Sequence, residues 1–216
     1  MNPMIGYHNI LETGTVAGST EDGDNVVENC FDWRTFDWWK PSGSSKYNTL
    51  TVDAGAAVSC DYVALAAHDL STQECAVSLY YSSDNFVADS NQITFTSYPG
   101  ALSSGYCSPD DDSTMVMRFA AVSARYWRLS VENNQTSITD QPSIGVLSIG
   151  SALDMPHGER TGFTPPTLYD DSVIINNTSQ RGEFLGRSVE SNGNKVNISL
   201  NALTASFVRS DILPFL

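Results

Sequence analysis

The chain has 216 residues, and its 25 acidic and 11 basic side chains give a formal net charge of −14. This length allows one good hydrophobic core and a smaller appendage, and the acidic surface repels phosphate backbones and anionic membranes, so we expect no nucleic-acid partner. No apolar run is long enough to cross a bilayer, so we expect no membrane insertion either.

The first residues form a polar segment. Residues 1–24 are Gly-rich after a short apolar start, which indicates an N-terminal arm. Residues 1–9 lack the basic and then apolar regions of a secretory signal, so we expect synthesis in a cytoplasm.

The four cysteines are Cys30, Cys60, Cys75 and Cys107. They are spaced irregularly and form no C-x-x-C pair, so a zinc site is not expected. Their even number would permit two disulfides. Because a cytoplasm is reducing, we favour reduced and mostly buried thiols.

The densest aromatic cluster follows, in residues 31–41, which hold three of the four tryptophans. Indole rings stack on the apolar face of sugars while neighbouring charged groups bond the hydroxyls, so the candidate carbohydrate-binding residues are Trp38, Trp39, Asp37 and Arg34. The alternative, which we favour, is that Trp33, Phe36 and one of the paired tryptophans anchor the core. Adjacent strand residues face opposite ways, so we expect one of Trp38 and Trp39 to be free of the core.

Short strands then recur at fairly even spacing, which indicates a β-sandwich or jelly roll over residues 25–150. The predicted strands are residues 49–54, 62–67, 76–82, 92–96, 115–120, 126–131 and 146–149. From the two-residue period we expect these side chains to point inward: Val52, Val63, Leu65, Val77, Leu79, Tyr126, Leu129, Val131 and Ile149.

No catalytic constellation stands out among these elements. The histidines His8, His68 and His157 are far apart, and only His68 has an adjacent acid, Asp69. We favour a structural loop role for this pair and expect no enzyme, since no nucleophile motif or phosphate-binding loop is present. A pair of carboxylates for glycoside hydrolysis stays open as an alternative, because nothing in the sequence selects one pair.

The character of the chain changes after residue 150. Residues 151–166 are rich in Pro and Gly and predict an extended connector. Residues 167–216 predict a β-rich assembly segment with strands at residues 172–176, 182–189 and 196–200 and a hairpin turn at residues 191–194. Its apolar end could dock on its own sandwich or pack against another chain. We favour contacts with other chains or with residues beyond Leu216, and we expect them to bury Phe207, Val208, Ile212, Leu213 and Phe215.

Three motifs occur in a characteristic order: Leu-Thr-Val-Asp-Ala-Gly at residues 50–55, Ser-Ser-Asp at 82–84, and Ala-Arg-Tyr-Trp-Arg-Leu at 124–129. This set resembles the discoidin-type, galactose-binding-like jelly-roll sandwich, in which L-x-V-D-L-G, S-x-D and A-R-Y-x-R-L recur. The resemblance implies a binding and assembly module that seldom carries catalysis, with its ligand in loops at one end.

The same resemblance implies that calcium can occupy the early loops. Hard oxygen ligands could come from Asp22, Asp24, Asp32 and Asp37, but their spacing matches no EF-hand loop. We favour solvated acids there and in the run Asp110 to Asp112, and we expect no metal and no cofactor.

Looser motifs at residues 5–11, 149–156 and 182–188 resemble minor tail proteins of tailed bacteriophages. That resemblance implies a structural protein of the virion, in the tail tip or baseplate, whose partners are other copies of itself and other tail proteins. It also allows the module to face a host cell-surface glycan. The alternative is a lectin-like module without a structural role.

Overall fold

Two long antiparallel strands, β3 (Tyr47–His68) and β9 (Met115–Asn133), form the centre of an all-β fold. The structure, a computed structural model, describes residues 4–32, 34–157, 173–191 and 203–213. Within these residues the other strands are β1 (Met4–Gly6), β2 (Thr15–Gly18), β4 (Cys75–Ser82), β5 (Asn91–Gln92), β6 (Phe95–Ser97), β7 (Ala101–Ser103), β8 (Tyr106–Ser108), β10 (Ile144–Gly150), β11 (Ala152–Asp154), β12 (Val173–Thr178) and β13 (Phe184–Ser191). The helical elements are α1 (Ile10–Thr13), a 3₁₀ helix (Val27–Phe31), α2 (Ala205–Phe207) and a π-helical turn (Val208–Ile212).

The main sheet has the order β10-β3-β9-β4-β8-β7, with β2 on β3, β5 on β4 and β6 on β9. The β3–β9 register shifts between Asp53 and Val58, where Gly55 has φ +74°. Side chains from both sides of this irregularity, such as Val52 and Val63, belong to one buried cluster. The sheet therefore folds over on itself into two layers around one core, as predicted for a sandwich.

The residues expected to point inward are buried, except Tyr126, for which the prediction is wrong. Trp127 is fully buried in its place, in phase with Leu129 and Val131, while Tyr126 is only half-buried. The two-residue period explains the correction, since an odd offset from Leu129 puts Tyr126 on the other face of the strand.

The predicted strands also merge. Residues 49–54 and 62–67 both lie in β3, and residues 115–120 and 126–131 both lie in β9. The short strands β1, β2, β7, β8 and β11 were not predicted.

The sandwich unit spans Ile5–Leu153, so most of the predicted N-terminal arm belongs to it. Ile10 and Leu11 of α1 are buried in the core, and Val16 of β2 pairs with Val52 of β3. A helix of four residues is too short to leave a periodic pattern in the sequence, which is why the segment resembled a polar arm.

A second unit comprises Met1–Met4 and Asp154–Leu216. Its strands β12 and β13 confirm the predictions at residues 172–176 and 182–189, and they form an antiparallel hairpin. The predicted strand at 196–200 and most of the predicted turn lie outside the described residues. The helical residues 205–212 were not predicted; Thr204 caps them by accepting a hydrogen bond from the Phe207 amide at 3.2 Å.

All four cysteines are buried and free, which confirms the predicted burial. Burial raises the pKa of the Cys30, Cys60 and Cys75 thiols to about 12 and that of Cys107 to about 11. Among the described helices, none has the length and apolar character needed to span a bilayer.

Candidate binding surface

One end of the sandwich gathers several loops. At this end β3 finishes at His68 beside Ile144 of β10, and β4 begins at Cys75 beside Asn133 of β9. The loop after β3 is tied to the loop before β10, because the Ser143 amide donates to Asp69 Oδ1 at 2.7 Å. These two loops are therefore connected at this end of the sandwich.

The aromatic segment is fastened to this end by backbone hydrogen bonds. Trp39 and Ile144 exchange two of them, each 3.0 Å long, so the segment runs beside β10. Asn29 extends from the 3₁₀ helix and donates through Nδ2 to Trp38 O at 3.1 Å. That helix is itself anchored by the buried side chains of Val27 and Cys30. Asn29 was not singled out in the sequence, because its partner becomes known only from the fold.

The two adjacent tryptophans have different environments. Trp39 is fully buried and donates Nε1–H to Thr20 O at 3.2 Å, so it is a core residue. Its assignment to a sugar site is wrong, since a buried indole offers no face to a ligand. Trp38 is 37% exposed and Phe36 is 73% exposed, so these two rings present apolar surface at the loop end. Trp33 lies outside the described residues.

Arg34 links the charged groups of this surface. Its Nη1 lies 3.1 Å from Asp37 Oδ2 and its Nε lies 3.4 Å from Asp32 Oδ2, while its backbone amide donates to Asp32 Oδ1 at 3.0 Å. The guanidinium carbon is 6.0 Å from the centroid of the Phe36 ring. The predicted residues Arg34, Asp37 and Trp38 are thus close together, with Phe36 as a further member. Asp37 Oδ1 accepts no hydrogen bond from any described residue.

His68 and Asp69 do not form a catalytic pair in the described residues. His68 is buried, its Nδ1 accepts from the Leu70 amide at 3.4 Å, and burial lowers the pKa of its imidazole. The carboxylate of Asp69 instead accepts from the Ser143 amide and, at 3.5 Å, from Gln73 Nε2. The pair therefore serves the loop structure.

The early acids are used within the loops as well. Asp32 and Asp37 contact Arg34, and Asp112 accepts from the Ser71 amide at 2.8 Å. Among the described residues, no group of three or more His, Cys, Asp or Glu side chains is placed to hold a metal ion.

No family model matches the chain, and neither does any curated protein. Solved structures do resemble it. Chitosan-binding module 1 of a chitosanase/glucanase from Paenibacillus sp. IK-5 has 15% identity and a TM-score of 0.52, over 66% of this chain and 98% of the module. Module 2 of the same enzyme, solved with chitotriose, has 13% identity and a TM-score of 0.50, over 66% of this chain and 99% of the module.

A GH29 fucosidase from Ruminococcus gnavus, solved with fucose, also resembles the chain, with 15% identity and a TM-score of 0.51. The similarity covers 68% of this chain but only 27% of the fucosidase. At such identities the likeness shows the fold, which is the predicted galactose-binding-like, discoidin-type β-sandwich.

Proposed function

We propose that the chain is a non-catalytic glycan-binding protein whose ligand lies on Trp38 and Phe36 at the loop end of the sandwich. The observation that carries this proposal is the exposure of these two large rings beside the Arg34–Asp37 ion pair. The similar chitosan-binding modules support it, because they put the same fold to use in binding a polysaccharide.

The residues suit a neutral sugar ring. The exposed face of Trp38 can stack on the C–H groups of the ring. Arg34 can donate hydrogen bonds to the sugar hydroxyls, and Asp37 can accept from them through Oδ2, since its Oδ1 is buried. Because Arg34 is already paired with Asp32 and Asp37, the described residues of this segment offer no free positive charge to a polyanion.

Tryptophan fluorescence and calorimetry of the full chain with chitotriose and a panel of neutral oligosaccharides test the proposal. We expect one glycan class to quench the indole emission, and Trp38→Ala to lose at least tenfold in affinity. Thr35→Ala is the matched control, since it changes a neighbouring side chain without removing an aromatic surface. Full affinity in the Trp38→Ala variant would exclude this site.

We further propose that the chain assembles in copies within the tail tip or baseplate of a bacteriophage, where it presents the module to a host surface. Support comes from the second unit, whose hairpin exposes Phe184 (66%) and Leu185 (67%), together with Val173, Ile174, Ile175 and Val189. An isolated two-stranded hairpin is marginal in water, and exposed apolar strands favour pairing with another chain.

The residues predicted to form a subunit interface differ in their exposure. Phe207, Val208 and Ile212 are half-buried, Leu213 is exposed, and Phe215 lies outside the described residues. Light scattering of the purified chain tests self-association, and we expect Phe184→Ser with Leu185→Ser to reduce it.

Virion localisation requires the protein to be found in purified phage particles by mass spectrometry; its absence there would remove the tail role but leave glycan binding intact.

A further inference from the structure

The outward face of β3, β9 and β4 carries an arginine with unusual surroundings. Arg128 of β9 lies directly between Thr51 of β3 and Tyr80 of β4 in the strand register. These three side chains point away from the core, because Val52, Leu129 and Leu79, their neighbours in sequence, are all fully buried.

Arg128 has no carboxylate partner among the described residues. The other lysines and arginines of described residues 4–157 each form an ion pair with an acid: Arg34, Lys40, Lys46, Arg118 and Arg125. Arg128 instead donates Nε–H to Thr51 Oγ1 at 3.0 Å, and no described residue accepts a hydrogen bond from its Nη1 or Nη2. Partial burial lowers the pKa of the guanidinium, so the group is partly desolvated and has no described carboxylate beside it.

A strained loop holds an aromatic ring against this guanidinium. The Arg128 guanidinium carbon lies 3.8 Å from the centroid of the Phe86 ring. Phe86 has φ +64° and follows Asn85 at φ +60°, a conformation that non-glycine residues seldom adopt and that occurs preferentially at functional sites.

The loop is fixed in this conformation by its own hydrogen bonds. Ser82 Oγ accepts from the Phe86 amide at 3.0 Å, and the Asp84 carboxylate accepts from the amides of Val87 at 3.2 Å and Ala88 at 2.8 Å. Stacking on Phe86 and the bond to Thr51 thus fix the plane of the Arg128 guanidinium before any ligand arrives.

Two tyrosine hydroxyls lie on the neighbouring strands β4 and β8. Tyr80 OH lies 3.5 Å from Tyr106 OH on the neighbouring strand β8, and Ser130 lies two residues from Arg128 on the same face of β9. The two tyrosines are half-buried, and Ser130 is buried.

We propose that this face is a second ligand site, in which the Nη1 and Nη2 groups of Arg128 bind the carboxylate of an acidic sugar. A fixed planar guanidinium matches a carboxylate in a two-bond fork, and the tyrosine hydroxyls suit the hydroxyls of a sugar ring. The net charge of −14 opposes a polyanion, so the ligand is a single uronic-acid-type residue on an otherwise neutral glycan.

The test uses NMR of the ¹⁵N-labelled full chain with two probes that differ in one group, methyl β-glucuronide and methyl β-glucoside. We expect the glucuronide to shift the Arg128 Nε–H signal and the amides of Thr51 and Tyr80, with an affinity at least tenfold above that of the glucoside. Equal binding of both probes, or shifts confined to the loop end around Trp38, would overturn the proposal. This readout needs no variant, so it does not depend on any variant folding.

Variants then assign the contact. Arg128→Gln should abolish glucuronide binding and Arg128→Lys should weaken it, because lysine keeps the charge but not the fork. Arg125→Gln is the matched control, since that arginine is paired with Asp53 at 2.7 Å and should not matter. Trp38→Ala should also leave glucuronide binding unchanged, which separates this site from the proposed site at the loop end. If acetate alone binds as tightly as the glucuronide, the sugar assignment is wrong.

Discussion

Trp38 and Trp39 are neighbours in the chain, yet Trp38 keeps 37% of its surface exposed while Trp39 is fully buried. The backbone hydrogen bonds between Trp39 and Ile144 set this difference, because they fix which of the two indoles faces the core. One ring is therefore available to a ligand, and the other stabilises the segment that presents it.

Replacing the buried ring should destabilise the sandwich strongly. Trp39→Ala removes a large core side chain and its hydrogen bond to Thr20 O, so we expect the free energy of unfolding to fall by about 3–5 kcal/mol. Urea unfolding followed by circular dichroism measures this loss. A change below about 1 kcal/mol would contradict the assignment of Trp39 to the core.

Replacing the exposed ring should affect glycan binding more than stability. Trp38→Ala should lower the free energy of unfolding by about 1–3 kcal/mol, less than Trp39→Ala, since 37% of the Trp38 surface is already in water. The same variant should lose the glycan affinity proposed for the loop end. If Trp38→Ala proves as destabilising as Trp39→Ala, loss of binding in it would say nothing about a ligand contact.

The sequence allowed the core of the strands to be predicted because each strand has a local two-residue period. Leu50, Val52, Leu129 and Val131 follow that period and are fully buried. The period could also have distinguished Trp127 from Tyr126, since only Trp127 is in phase with Leu129.

The candidate sites were only partly predictable, because long-range contacts decide them. The aromatic segment was recognisable from composition, but the choice between Trp38 and Trp39 depends on pairing with Ile144 far along the chain. Arg128 and Phe86 were missed for the same reason: only the folded loop brings the ring to the guanidinium. Arg128 occupies a regular strand position. A single sequence does not show whether a carboxylate lies beside such an arginine in the fold.

Gly150 should tolerate no side chain. A Cβ at this position would collide with the backbone carbonyl of His8, and backbone atoms cannot rotate away as a flexible side chain can. We expect Gly150→Ala to lower the free energy of unfolding by about 3 kcal/mol or more, measured by thermal and urea unfolding.

The matched comparison is Gly43→Ala, where a Cβ would meet open space but φ is +79°. That backbone conformation alone should cost about 1–2 kcal/mol. A smaller loss at Gly150 than at Gly43 would show that the contact with His8 relaxes easily.

The loop that holds Phe86 should loosen in acid. Hydrogen bonds from the Ala88 amide and then the Ser82 hydroxyl hold the pKa of Asp84 below its ordinary value. A depressed pKa in the folded state means that Asp84 stabilises the loop fully above about pH 4, its ordinary pKa, and that this stabilisation is lost as the pH falls through the lower folded-state value. Hydrogen exchange at Val87 and Ala88, corrected for intrinsic rates, should therefore accelerate in that range.

Two variants serve as references for this acid effect. Asp84→Asn should make the exchange at Val87 and Ala88 fast at neutral pH and remove its dependence on acid. Asp111→Asn should leave the loop unchanged, because Asp111 accepts from the Ser113 amide in a different loop. Constant protection of Val87 and Ala88 down to pH 2 would refute the role of Asp84.

Removing the residues after Pro165 should separate folding from assembly. The sandwich unit spans Ile5–Leu153 and contains the buried core cluster, so the shortened chain should keep its strand-rich circular dichroism spectrum and unfold cooperatively. It lacks the hairpin of β12 and β13 with its exposed Phe184 and Leu185, so we expect it to be monomeric by light scattering and absent from assembled particles. Because the loop end and Arg128 remain, binding of both sugar classes should survive. If the shortened chain still assembles as the full chain does, the interface lies in the sandwich and the proposed role of the C-terminal residues is wrong.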